Sequence, residues 1–474
     1  MPQAGTADTP IVWATHPEDV KRGLHAVLSG GVAVPPSAFV AVQVPTGVPD
    51  VFKAELSALG VNSSVLGKLS CPYPTVKENG KVVSAKLEAF IDGEPMTLAR
   101  DPNIGDDPLA TWKWVGYENA TAVDELRLDL ADGPTAKRWA AAMAGGAKLW
   151  LHAYTKFDWR DAYLRLASIT PNKTATNRTS YTLSRDPSTT PQYPWVNGCR
   201  FYALDNLALL DQPGEYFVSD GGSLYLRAPT SSRRGGDDGG GPSGVVVSAL
   251  DTVVHAIGAN HSTWANLTIE AARGDAFILQ GSHVALRNVT VRNAGGDCIS
   301  VSGSNVTVED SRVYGCGRAG VGVAGGDTIQ LTPSGNRVVG NVITNFSRIV
   351  RTYMPAVAFS GVGHYVANNT MSNGPHCGVQ GNGNDNLFEF NYISHCSYEC
   401  TDTGAFYVGR SWAQRGNVAR FNHFDTIRPT EKLAQKSCSQ NAYAREASNP
   451  GQHACSRRAA FCVLRAAASI STTR

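Results

Sequence analysis

The stretches GDAFILQGSHVALRN (residues 274–288) and GDCISVSGSNVTVED (residues 296–310) repeat one pattern of apolar and polar residues with a shift of 22 residues. The same shift relates PAVAFSGVGHYVANN (residues 355–369) to CGVQGNGNDNLFEFN (residues 377–391). Short apolar strands that alternate with Gly and Asn turns at this period are typical of a parallel β-solenoid, in which each repeat is one coil and stacked coils share a core. The sequence therefore predicts an all-β chain containing a parallel β-helix.

Residues one repeat apart should lie in neighbouring strands, about 4.8 Å from each other. We therefore predict an inward column of apolar side chains and, at the preceding turn, a column of aspartates. The apolar column consists of Phe277, Ile299, Ile329, Val357, Val379 and Phe406. The aspartate column consists of Asp275, Asp297 and Asp327. Capping of turns is the expected role of these aspartates; the alternative is calcium binding, with Asp297 and Asp327 as ligands.

Composition divides the chain into four parts. Residues 1–230 are β-rich and irregular, and SSRRGGDDGGGPSG (residues 231–244) is a flexible break. The predicted β-helix covers residues 245–427. Residues 428–474 contain one of the 48 glycines and no alternating pattern, so we expect an irregular tail there.

Charge and hydropathy exclude several classes of protein. Only 17% of residues are charged, and glycine is abundant, which argues against a helical bundle. The net charge of +2 hides a basic tail with eight Lys/Arg against two Asp/Glu from Arg428 onward. The rest of the chain is mildly acidic, so nucleic acid is excluded as an expected partner. No apolar run approaches the ~18 residues that span a membrane, so we expect no membrane as a partner. We also expect the protein to be a monomer.

N-x-S/T sequons are frequent and predict a glycosylated product of the secretory pathway. No basic and apolar leader is visible in MPQAGTADTP, so this localisation requires an N-terminal segment that is missing from the chain; an intracellular protein is the alternative. Ten cysteines without a CxxC motif suit an oxidising compartment. For Cys396 and Cys400, beside His395, we expect buried thiols or a disulfide, with a zinc site as the alternative.

Several stretches resemble right-handed parallel β-helix proteins of the pectin-lyase-like fold, most closely the glycoside hydrolases of family 141. These stretches are LEAFIDGEPMTLARDPN (87–103), LWLHAYTKFDW (149–159), GCRFYALDNLALLDQPGEYFVSDGGSLYL (198–226), RTYMPAVAFSGVGHYVANN (351–369) and GNDNLFEFNYISHCSYECTDTGAFYVGRSWAQRGN (383–417). The resemblance covers about residues 28–427. It implies a right-handed β-helix that acts on plant cell-wall glycans, although this fold hosts several activities.

The sequence departs from the family pattern at three places. Where the family has two adjacent acidic residues, this chain has Thr401 in the first position and retains the acid in the second, Asp402. Where the family has an aspartate after an arginine, this chain has Ser411. The family has further coils before VLSGGVAV (residues 27–34) and after residue 427. The resemblance therefore predicts a chain shortened at both ends.

Counting back from the apolar column places Tyr353, His376 and Asp402 on one corner of three consecutive coils, within ~10 Å of each other. Glycoside hydrolysis requires two carboxyl groups, so the predicted catalytic residues are Asp402 and Glu399, with His376 assisting. The predicted substrate-binding residues are Tyr353, Arg351, Gln380, Tyr407, Arg410 and Trp412. We also expect Gln330 to face outward in line with Gln380 and Tyr407.

Each of these residues also has a purely structural interpretation. His376 suits a hydrogen-bonded turn position, Asp402 an Asx turn, and Arg410 a partner for Asp402, while Trp412 could cover a coil edge. The leading functional interpretation is a glycoside hydrolase acting on cell-wall or other polysaccharides or oligosaccharides, without a cofactor. The alternatives are a calcium-dependent polysaccharide lyase with an Arg or Lys base, and a non-catalytic glycan-binding or adhesion solenoid.

Overall fold

The computed structural model of the chain describes residues 4–70, 77–78, 81–82, 85–105, 113–114, 125–128, 133–173, 179–195, 200–229, 241–409 and 411–428. Residues 231–240 of the predicted break and all of the predicted tail after Arg428 lie outside these ranges. In the described part of the chain, no helix is long and apolar enough to cross a membrane.

Two long parallel sheets, counted over the described residues, form a β-helix. The first sheet has thirteen strands and covers two faces of each coil. Its strands are Ile11–Ala14, Val254–Ile257, Ser262–Ala265, Phe277–Arg287, Ile299–Glu309, Val321–Gly325, Arg337–Val339, Val357–Val362, Tyr365–Ala367, Val379–Asn384, Leu387–Glu389, Phe406–Tyr407 and Val418–Arg420. The second sheet has eight strands on the third face. Its strands are Ala26–Ser29, Leu267–Ala272, Thr290–Ala294, Arg312–Cys316, Val342–Thr344, Thr370–Gly374, Tyr392–Cys396 and His423–Ile427.

The predicted inward column is confirmed at five of its six positions. The register stacks Phe277, Ile299, Val321, Val357, Val379 and Phe406 in consecutive coils. Phe406 is partly buried and packs against the core formed by the others. The prediction for Ile329 is wrong: its side chain is 91% exposed, and Val321 occupies that coil. The motif GDTIQL (residues 326–331) has the sequence pattern of a coil start but lies in the loop after strand Val321–Gly325.

All three predicted aspartates accept backbone hydrogen bonds at turns as expected, but only two of them stack in one column. Asp275 accepts a hydrogen bond from the backbone N–H of Asp297 (2.7 Å), and Asp297 accepts one from the backbone N–H of Ala319 (3.0 Å). Asp327 lies instead in an exposed loop, where it accepts the N–H of Ile329 at 2.7 Å. The predicted column is therefore wrong for Asp327, and Ala319 takes the third position.

A column of glycines marks the bend between the first two faces of each coil. Gly361 has φ +120° and Gly383 has φ +147°. A Cβ atom on Gly383 would lie 1.8 Å from the carbonyl oxygen of Gly361, and one on Gly361 would lie 1.8 Å from that of Gly325. Only glycine allows this conformation and this close stacking of backbones, which explains why the repeat carries glycine at this position.

The boundaries between the two parts of the chain differ from those predicted at residues 230 and 245. Strand Ile11–Ala14 pairs in parallel with Ser262–Ala265, and Ala26–Ser29 pairs with Leu267–Ala272, so the first residues form a coil of the β-helix. Strand Val245–Ser248 is not part of a coil, since it pairs antiparallel with Gly31–Val34. The chain thus leaves the β-helix at Gly30 and resumes it at Val254. We call residues 31–248 the inserted domain.

Within the described residues, the inserted domain contains four sheets. The five-stranded sheet contains Val40–Val42, Val51–Glu55, Thr97–Leu98, Glu215–Val218 and Ser223–Arg227. The seven-stranded sheet contains Arg100–Asp101, Lys113–Trp114, Glu125–Leu128, Trp150–Tyr154, Asp161–Lys173, Thr179–Arg185 and Arg200–Leu204. The four-stranded sheet contains Gly31–Val34, Ala89–Ile91, Glu94–Pro95 and Val245–Ser248, and the two-stranded sheet contains Lys77–Glu78 and Lys81–Val82.

Helices are few and short in the described part of the chain. The α-helices are Pro17–Lys21 and Gly133–Ala142, and the 3₁₀ helices are Pro36–Ala38, Leu56–Leu59, Ser63–Val65, Ala144–Gly146 and Leu207–Leu209. Strand Trp150–Tyr154 is buried along its whole length between Asp161–Lys173 and Arg200–Leu204. The apolar stretch that contains it is therefore a core element.

Cysteine side chains lie inside the β-helix. Cys298 and Cys316 form a disulfide, whereas Cys396 and Cys400 are buried thiols. The His395 side chain is exposed, and the described residues contain no group of three or more His, Cys, Asp or Glu side chains that could hold a metal ion. Of the three interpretations of this segment, namely buried thiols, a disulfide and a zinc site, the structure favours buried thiols.

A ladder of buried asparagines joins successive coils between the second and third faces. Asn369 accepts hydrogen bonds from the backbone N–H and the Nδ2 of Asn341, both at 2.9 Å. Asn391 accepts the same pair from Asn369 at 3.1 and 3.0 Å. The Nδ2 of Asn369 also donates to the carbonyl of Val338 (2.8 Å). Each amide therefore satisfies backbone groups of two coils at a turn that water cannot reach.

We expect Asn369→Ala to lower the free energy of unfolding by about 3 kcal/mol, because each buried group left without a partner costs about 1–3 kcal/mol. Urea denaturation followed by circular dichroism measures this change. The control is Asn382→Ala, an exposed asparagine that accepts one hydrogen bond from Gln414 (2.7 Å), for which a loss of less than about 0.5 kcal/mol is expected. Equal effects of the two substitutions would contradict a structural role for the ladder.

Candidate functional site

Glu399, the predicted second catalytic carboxyl, lies buried where the inserted domain meets the β-helix. It accepts hydrogen bonds from Arg351 at Nε (3.1 Å) and Nη2 (2.5 Å) and from the Tyr154 hydroxyl (3.0 Å). Arg200 donates to the Glu399 backbone carbonyl (2.5 Å). Burial alone would raise the pKa of the Glu399 carboxyl, but the charge and hydrogen bonds of Arg351 outweigh it, so this pKa lies below its ordinary value. Glu399 is therefore an ionised carboxylate that connects the two parts of the chain.

A second buried chain of polar groups lies beside this ion pair. The His152 Nε2 is 2.8 Å from Asp161 Oδ2, and the His152 Nδ1 is 2.6 Å from the Tyr202 hydroxyl. Asp161 also accepts hydrogen bonds from Thr352 Oγ1 (2.5 Å) and from the backbone N–H of Arg351 (3.0 Å). Burial raises the pKa of Asp161, yet the hydrogen bonds from His152 and Thr352 lower it overall to about 2. Burial lowers the pKa of His152, so a neutral imidazole bridges Asp161 and Tyr202.

Sequence analysis missed this Asp161–His152–Tyr202 chain. The stretch KLWLHAYTKFDW (residues 148–159) is mostly apolar, and His152 within it is fully buried. A polar residue inside a buried strand requires a hydrogen-bond partner, which was the available signal. Its partners could not be identified, because the strand order of the sheet was unknown.

Between the two parts of the chain is a cavity of about 380 Å³, which we call the interdomain cavity. Its wall includes Arg100, Tyr163 and Tyr202 from the inserted domain and Arg348, Arg351 and Glu399 from the β-helix. Asp402 is not among the residues that line it. The structure therefore does not bring the two predicted catalytic carboxyls into one opening: Glu399 faces this cavity, whereas Asp402 is exposed to solvent.

A second group of side chains, which we call the His376 corner, consists of Tyr353, His376, Gln380 and Tyr407. Asp402 directly precedes Thr403, whose Oγ1 lies near His376. The ring of His376 lies 4.8 Å from that of Tyr353 and 6.3 Å from that of Tyr407, measured between centroids. Strand pairing places Gln380 beside Tyr407. Sequence spacing thus predicted the meeting of Tyr353 and His376 and the alignment of Gln380 with Tyr407.

His376 is fully buried and only half satisfied. Its Nδ1 lies 3.1 Å from Cys377 Sγ and 3.4 Å from Thr403 Oγ1, and its Nε2 has no hydrogen-bond partner among the described residues. Asp402, next to Thr403, has φ +55° and its carboxylate makes no hydrogen bond to another described residue. The exposed Asp402 carboxylate and the buried His376 Nε2, which has no hydrogen-bond partner among the described residues, therefore belong to adjacent coils.

Burial lowers the pKa of the His376 imidazole to about 4, against a weaker opposing effect of Asp161. In an unfolded chain the pKa is about 6.5, so between pH 6.5 and 4 only the unfolded state binds the proton. We expect the free energy of unfolding to fall by about 3 kcal/mol as the pH drops through this window. His376→Gln should remove this part of the pH dependence in denaturation experiments, and the control His255→Gln, on an exposed side chain, should not. Identical profiles for parent and His376→Gln would contradict the buried neutral state.

The other predicted site residues lie elsewhere. Arg351 binds Glu399 and lines the interdomain cavity, so it does not belong to the His376 corner. Gln330 lies in the exposed loop after Gly325, out of line with Gln380, contrary to prediction. Trp412 is 99% exposed, and Arg410 lies outside the described residues. The two candidate metal ligands also separate, since Asp297 caps a turn before its strand and Asp327 lies in the loop after the next one.

Comparison with known proteins supports the architecture. The sequence model of the family described as "Right handed beta helix region" matches residues 251–353 and 274–429. This region is a right-handed parallel β-helix. Among solved structures, one described as "Glycoside hydrolase" is 12% identical to this chain with a TM-score of 0.58, and the match covers 93% of this chain and 87% of that one. The likeness therefore includes the inserted domain as well as the right-handed β-helix, and it concerns the fold.

A second similar structure is described as the complex of XylC with xylose. It is 9% identical with a TM-score of 0.41, and the match covers 90% of this chain and 59% of that one. Among curated proteins, none has significant sequence similarity to this chain.

Proposed function

We propose that this protein is a glycoside hydrolase that binds a polysaccharide at the His376 corner, with Asp402 as the carboxylate that acts at the sugar. The observation that carries the proposal is an exposed carboxylate, Asp402, next to Thr403, whose Oγ1 lies 3.4 Å from Nδ1 of the buried His376. The resemblance to family 141 and the printed description of the similar fold, a glycoside hydrolase, support it.

Aromatic rings at this corner suit a sugar. Tyr353 and Tyr407 flank His376, and Trp159 of the inserted domain lies 6.4 Å from Tyr353 between ring centroids. The Trp159 Nε1 is buried without a hydrogen-bond partner in the described part of the chain. Rings of this kind pack against the C–H faces of a sugar.

The chemical roles follow from exposure. Asp402 is accessible, so it can take the role of nucleophile or base at the anomeric carbon. His376 is neutral above pH 4 and fully buried, so it lies behind this surface and supports the segment that carries Asp402 through Thr403, whose Oγ1 is 3.4 Å from His376 Nδ1. Glu399 is 2% exposed and held by Arg351 and Tyr154. We therefore assign Glu399 as a positioning residue for the segment that carries Asp402, rather than as the second catalytic carboxyl.

The experiment is incubation with xylan, pectin and fucosylated glycans, followed by mass analysis of the products with and without a calcium chelator. Products that gain one water per cleaved bond, with or without the chelator, are expected. Unsaturated products that require calcium would indicate a lyase instead. Binding without any product would indicate a glycan-binding solenoid, and either result would overturn the proposal.

A further inference from the structure

Aromatic side chains form a strip that crosses from the inserted domain to the β-helix. Tyr193 lies 5.4 Å from Trp159, and Trp159 lies 6.4 Å from Tyr353, measured between ring centroids. Tyr353 is in turn 4.8 Å from His376, which is 6.3 Å from Tyr407. We call these five rings the aromatic strip. Its first two rings belong to the inserted domain and the other three to the β-helix, so the strip extends the His376 corner across the junction.

The rings of the strip differ in exposure. The partly exposed rings are Tyr193, Trp159, Tyr353 and Tyr407. His376 is fully buried among them. At the inserted-domain end, the buried ring of Phe157 stacks on Trp159 (4.7 Å, 10°) and meets Tyr193 edge-on (4.9 Å). Buried rings therefore support the partly exposed ones, which present ring surface to a ligand.

Tyr353 is held in a strained backbone conformation next to Trp159. Its φ of +60° lies in the left-handed region, which is unfavourable for a bulky residue and occurs most often at functional sites. Asp161, two residues after Trp159 in the chain, accepts hydrogen bonds from the backbone N–H of Arg351 (3.0 Å) and from Thr352 Oγ1 (2.5 Å). The inserted domain therefore fixes the position of Tyr353, which is a feature of a preorganised binding surface.

Opposite charges stand at the two ends of the strip. At the β-helix end, Asp402 is exposed and directly precedes Thr403, whose Oγ1 is 3.4 Å from His376 Nδ1. At the inserted-domain end, the Lys156 Nζ lies 5.0 Å from the centroid of the Phe157 ring. A chain that carries a carboxylate on every unit would be repelled by Asp402, where the proposed cleavage occurs. The aromatic rings between the two ends suit the C–H faces of neutral sugars.

We propose that the aromatic strip binds several consecutive units of a neutral, linear polysaccharide, so that the chain lies across the junction between the inserted domain and the β-helix. The assignment rests on the proposed function and adds binding positions on the inserted domain to the reacting position at Asp402. Trp159 is then a specificity-determining residue, because it connects Tyr353 with Tyr193. A short oligosaccharide covers only the β-helix end, whereas a longer one also covers Trp159 and Tyr193.

The test is isothermal titration calorimetry of the Asp402→Asn variant, which should bind the chain without cleaving it. Xylo-oligosaccharides and cello-oligosaccharides, from dimer to hexamer, are the neutral probes, and hexagalacturonate is the anionic one. The hexamer of at least one neutral series should bind at least about 10-fold more tightly than its dimer and than hexagalacturonate, a difference of about 1.4 kcal/mol. Equal affinities for dimer and hexamer, no binding of either neutral hexamer, or hexagalacturonate binding as tight as theirs would overturn the proposal.

Two further substitutions in the Asp402→Asn protein locate the bound chain. Trp159→Ala should lower the affinity for the hexamer by about 10-fold or more and leave that for the dimer within about twofold. Because Trp159→Ala also removes packing on Phe157, Tyr193→Ala is the second variant. Tyr193 lies outside the helices and strands of the described residues, and loss of its ring should weaken hexamer binding at least about threefold.

The matched control for both variants is Phe390→Ala. Phe390 is 53% exposed and stacks on Phe421 at a different turn of the β-helix. This substitution should leave the affinities for dimer and hexamer unchanged. Hexamer binding that is unchanged in Trp159→Ala or Tyr193→Ala, with circular dichroism showing a folded protein, would place the chain elsewhere and overturn the assignment.

Turnover by the parent protein separates this proposal from the proposed function. Cleavage of a polysaccharide without any dependence of affinity on chain length would overturn the strip assignment and leave the proposed function standing. Affinity that rises with chain length and falls in Trp159→Ala, without any product from the parent protein, would support the strip and overturn the hydrolase.

Discussion

Asp402→Asn is expected to reduce turnover by about 10³-fold or more while the protein stays folded. An amide cannot attack the anomeric carbon or accept the proton. The fold should tolerate the change, because Asp402 has φ +55° and asparagine adopts the left-handed region more readily than most residues. Initial rates on the polysaccharide that the parent protein cleaves, with circular dichroism as a folding check, measure the effect.

The matched control is Asp385→Asn. Asp385 is also an exposed aspartate at a turn, with φ +56°, and it lies near Arg415 (3.6 Å) rather than near His376. This variant should retain the rate of the parent within about twofold, since surface substitutions rarely change stability by more than ~0.5 kcal/mol. Undiminished activity in folded Asp402→Asn would remove Asp402 from the site and leave it as a turn residue.

Arg200→Met is expected to produce the largest loss of stability, about 3–5 kcal/mol. Arg200 is fully buried and donates to Asp158 (2.5 Å) and to the Glu399 carbonyl (2.5 Å). Its guanidinium also lies 3.9 Å from the centroid of the Tyr154 ring. Removing the cation would take away the Arg200 side of a fully buried ion pair while the Asp158 carboxylate stays in place, which is the costly way to break such a pair.

Arg165→Met is the control for this change. Arg165 lies in the same sheet and binds Asp186, with its Nε at 2.9 Å, but its side chain is 35% exposed. Solvent screens such a pair, so a loss below about 1 kcal/mol is expected. Urea denaturation of both variants gives the comparison. A loss below 1 kcal/mol for Arg200→Met would show that the ion-pair network does not join the inserted domain to the β-helix.

The sequence alone determined the β-helix and the alignment of several side chains along its coils. A repeat of 22 residues places each residue beside its equivalent in the next coil, so local spacing specifies long-range neighbours. For that reason the column of Val357, Val379 and Phe406 and the meeting of Tyr353 with His376 could be predicted. Prediction of neighbours from the repeat failed where an insertion interrupts the 22-residue period, as at Ile329 and Asp327.

Only the tertiary structure decided how the inserted domain meets the β-helix. The contact between Tyr154 and Glu399 joins residues 245 positions apart, and that between Asp161 and Thr352 joins residues 191 positions apart. No repeat relates these positions, so nothing in the sequence ordered them in space. The coil of residues 11–29 stayed hidden for the same reason, because its neighbouring strands begin only at Ser262. Burial then decided the chemistry: Glu399 and Asp402 are three residues apart, and packing buried the first while leaving the second exposed.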